Sequence, residues 1–70
     1  MESLREMYHD IYTQLVDVGE KMEKALTLGE SVHTEYFGEY ACSPDIKASL
    51  RLLSDLRYVV MNCEDYEREH

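Results

Sequence analysis

Leu4, Tyr8, Ile11, Leu15, Val18, Met22 and Ala25 recur at alternating spacings of four and three through the first third of the chain. In water such a row is buried only when the backbone turns about 3.6 residues per turn and a second helix covers it. The spacing therefore predicts a long amphipathic helix, and packing of helix on helix as the main source of stability. Its start is marked by Ser3 followed by Glu6, a capping box in which the hydroxyl accepts from the backbone N–H of residue 6. Leu28 followed by Gly29 suits a helix end, because glycine takes the left-handed conformation without a Cβ penalty. The first helix is thus expected over about 3–28, although Gly29, Val32 and Tyr36 continue the same row and leave open a helix reaching about residue 37.

A second helix is expected from Ser43, Pro44 and Asp45: serine as N-cap, proline at the first helical position where its missing N–H costs nothing, and a carboxylate near the positive helix end. No Gly or Pro interrupts the chain from there to about residue 67. Two helices of matched length, joined by a connector over about 29–43, predict an all-α antiparallel two-helix hairpin. Gly19 lies beside the first row, where an interior glycine loses about 1 kcal/mol relative to Ala. Either another helix approaches closely there or the residue is a tolerated surface glycine.

The apolar positions of the second helix, Ile46 to Cys63, cover an arc of about 200° at about 100° per residue, and one neighbouring helix needs about half of that. Leu53 and Val60 are expected to face the first helix. Leu52, Leu56 and Val59, about 100° around, are then the expected self-association residues, covered only when another chain is present. Seventy residues bury only about 60% of the surface that their unfolded form exposes. Help from a second chain is therefore expected, with hairpins pairing into a four-helix bundle, first as a homodimer and otherwise against a helical partner.

The net charge is −8, and it is concentrated. Glu30, Glu35, Glu39 and Asp45 lie in residues 29–45 with no Lys or Arg, and Glu64, Asp65, Glu67 and Glu69 face only Arg68 in residues 64–70. Such a surface repels phosphate backbones and anionic lipid, so neither direct nucleic-acid binding nor membrane association is expected. No run is long enough to span a bilayer and no signal-peptide pattern opens the chain. Cys42, just before the second helix, and Cys63, near its far end, are about 30 Å apart along a helix, too far to bridge. Free thiols suit a reducing compartment, and a cytoplasmic protein is expected.

Chemistry has few footholds. Glu6 with His9, and Glu30 with His33, show the Glu-x-x-His spacing of carboxylate-bridged metal bundles. Neither pair is expected to aim at the core, no further carboxylate is expected on the seam, and no metal or cofactor is expected. Glycine-rich phosphate loops, paired-cysteine zinc patterns and nucleophile–His–acid sets are absent, so an enzyme is not expected. Glu35, Tyr36, Phe37, Glu39 and Tyr40 set aromatic rings within an acidic rim, which suits docking of a basic protein surface. The resulting expectation is a non-enzymatic interaction module, an adaptor, inhibitor or small chaperone. An acidic nucleic-acid mimic and a small metal-binding bundle are the alternatives.

Overall fold

The Ser3 hydroxyl accepts from the Glu6 N–H at 3.1 Å, and the first helix, α1, runs from Leu4 to Val32. The computed structural model describes residues 2–33 and 40–70. The second helix, α2, spans Ser43–Glu69. Among the described residues there is no strand, and the two helices pack against each other.

Two boundary expectations need correction. The helix does not stop at residue 28: it passes through Gly29 and ends where the His33 N–H bonds the Gly29 carbonyl at 2.9 Å. Gly29 is used for its missing side chain. The Tyr40 ring lies so close over it that an added Cβ would overlap the ring, and Tyr40 also stacks on His33 with ring centroids 5.6 Å apart. Nor is Ser43 the N-cap of α2. Cys42 holds that position and accepts from the Ile46 N–H at 3.0 Å, while Ser43 is completely buried and donates to Glu30 at 3.4 Å. Proline still falls in the first turn, where it displaces no hydrogen bond.

Three cross-helix neighbours set the register: His9 with Glu64, Gly19 with Arg57, and Glu30 with Ser43. Their numbers add to between 73 and 76, as two antiparallel helices require. The inward row of α1 is Tyr8, Tyr12, Leu15, Gly19, Met22, Leu26 and Gly29; that of α2 is Ser43, Ile46, Leu50, Leu53, Arg57, Val60, Glu64 and Glu67. Both alternate steps of three and four. Leu53 and Val60 do face α1, and Gly19 is buried where the helices meet, with the Arg57 guanidinium 4.0 Å from the position that a Cβ would take.

The row from Leu4 to Ala25 is therefore not one seam. Tyr8, Leu15 and Met22 belong to the intrachain contact, whereas Leu4, Ile11, Val18 and Ala25 remain exposed. Carboxylates also occupy inward positions, contrary to expectation: the Glu64 side chain is only 13% exposed, and Glu67 is half-buried. Glu64 is tolerated because it accepts from His9 at 3.0 Å across the helices and from Arg68 at 3.4 Å, which offsets part of its desolvation.

What results is a slab. The molecule measures 53 × 19 × 11 Å with a radius of gyration of 16.0 Å, against about 11 Å for a globule of this length. Among the described residues, Val60 is the only buried apolar side chain, with 7% of its surface exposed.

Candidate interaction surface

Each helix carries a second apolar stripe, displaced by one residue from its inward row. In α1 it is Leu4, Met7, Ile11, Gln14, Val18, Lys21, Ala25, Leu28 and Val32; in α2 it is Ser49, Leu52, Leu56, Val59, Cys63 and Tyr66, preceded in the same row by Cys42 and Asp45. Val18 precedes Gly19, Ile11 precedes Tyr12, Val59 precedes Val60 and Leu52 precedes Leu53. One residue earlier is a rotation of about 100° backwards about each helix axis. Because the helices run in opposite directions, equal backward rotations bring both stripes to the same broad face of the slab.

The reverse face provides the check. Residues that follow an inward one belong there, and they share clefts across the two helices: His9 with Met61, Asp65 and Arg68 around one cleft, and Ser54, Tyr58 and Met61 with Tyr12 around another. The stripes thus form one surface on the other side. In the hairpin register Val18 is level with Leu56, Ile11 with Cys63 and Met7 with Tyr66.

This face is open. Leu52, Leu56 and Val59 keep 69%, 48% and 55% of their surface exposed, and Val18 keeps 44%. No acid stands in the stripe of α1 from Leu4 to Val32, or in that of α2 from Ser49 to Tyr66; the single charge there is Lys21, which is paired with Asp17 at 3.1 Å. A folded chain of 8.3 kDa would expose about 4,600 Å2 if compact. This one exposes 5522 Å2. The excess, roughly 900 Å2, goes with the elongated shape.

Of the connector residues expected to meet a partner, Glu35, Tyr36, Phe37 and Glu39 lie outside the described residues. Tyr40 is half-buried at the hairpin end, and its phenol is pushed above the ordinary value, first by desolvation and then by Cys42 and Glu30. The two Glu-x-x-His pairs are drawn apart by other contacts. His9 turns to Glu64 across the helices and not to Glu6, Glu30 accepts from Ser43, and His33 stacks on Tyr40. Among the described residues no cluster of three metal-ligating side chains forms. Cys42 and Cys63 are both free, with Cys42 exposed and Cys63 half-buried within the stripe. Tyr58 and Tyr66 are mainly exposed; Tyr66 stacks on His70 with centroids 4.2 Å apart.

Sequence reasoning missed the division of the first row into two stripes. The signal was present: the exposed stripe has its own steps of three and four from Leu4 to Val32, broken only by Gln14 and Lys21. Among the described residues, no helix is long and apolar enough to cross a membrane. No family model, curated protein or solved structure matches the chain.

Proposed function

We propose that this chain is a non-enzymatic protein–protein interaction module, whose hairpin lays its broad apolar face on another helical surface and so completes a four-helix bundle. The observation that supports this reading most is the near absence of an internal core: Val60 alone is buried among the described apolar side chains, while two stripes on one face stay open. Two helices of this length lose backbone and side-chain entropy on ordering that a half-covered seam does not offset. A covering surface supplies the difference, from a copy of the chain or from a helical partner.

Within that reading the acidic connector is a second contact. Glu35, Tyr36, Phe37, Glu39 and Tyr40 offer aromatic anchors and negative charge to a basic protein surface, in the manner of an adaptor, inhibitor or small chaperone. The free thiols of Cys42 and Cys63 suit the reducing cytoplasm.

The test is thermal unfolding followed by circular dichroism over two decades of protein concentration. Folding that depends on a covering surface gives a Tm that rises with concentration, or a chain with little helix until a partner is added. A strongly helical chain with a cooperative, concentration-independent Tm would show that the face needs no cover, and the reading fails.

A further inference from the structure

We draw no further inference here: the strongest candidate, the broad apolar face that the outer stripes of α1 and α2 form around Val18, Leu52, Leu56 and Val59, is unpartnered, and nothing in the structure shows what covers it.

Discussion

Tyr58 and Val59 are neighbours in sequence, with similar exposure in the hairpin, 63% and 55%, yet they lie on opposite faces of the slab. Replacing each with Asp separates a hairpin that stands alone from one that is covered. In a solitary hairpin both substitutions place a charge in water, and each changes stability by no more than about 0.5 kcal/mol. In the covered bundle only Val59→Asp lies inside the contact. Val59 exposes on the order of 80 Å2, so covering it is worth about 2 kcal/mol per chain, and about 4 kcal/mol for a symmetric pair. At about 1.4 kcal/mol per decade, the dimer of Val59→Asp should be weaker by roughly a thousandfold, more if the buried carboxylate stays charged. Sedimentation equilibrium and circular dichroism, run together on both variants, read mass and helicity. Val59→Asp should lose dimer and helix over the same concentrations, while Tyr58→Asp should resemble the parent. Equal behaviour of the two variants would refute the assignment of the covered face.

Ser3→Ala should cost about 1 kcal/mol in chemical denaturation, because the Glu6 N–H loses the hydroxyl that it meets at 3.1 Å. Gly29→Ala should destabilise the parent by driving the Tyr40 ring from its seat, and should reverse sign in a Tyr40→Ala background, where the better helix former gains about 1 kcal/mol; a gain in both backgrounds would disprove the contact. His9→Ala should cost less than about 1 kcal/mol, since its side chain is 63% exposed, and a double-mutant cycle with Glu64→Gln should show that the coupling fades at high salt.

The elements were legible because local chemistry fixes them. Ser3 with Glu6 starts a helix in any context, and Pro44 admits α2 but no helix running into it from the connector. Leu53 and Val60 fall in helical step with Ile46 and Leu50, which keeps them on one side of α2. The rotation of α1 was not legible, since inward and outward stripes are both apolar and adjacent, and merging them yields an equally regular row. Gly29 was misread for a related reason: a glycine that ends a helix and one that admits an aromatic ring look alike until the ring is placed. Glu64 and Glu67 were unexpected inward because burial of a carboxylate depends on partners distant in sequence, here His9 for Glu64.

The most direct measurement is the mass of the unmodified chain in solution, by sedimentation equilibrium at high micromolar concentration, with helicity recorded on the same sample. The expected result is a helical species of twice 8.3 kDa, dissociating with loss of helix on dilution. A monomer of 8.3 kDa that remains fully helical and cooperatively folded would contradict it, since two half-covered helices would then suffice without a partner.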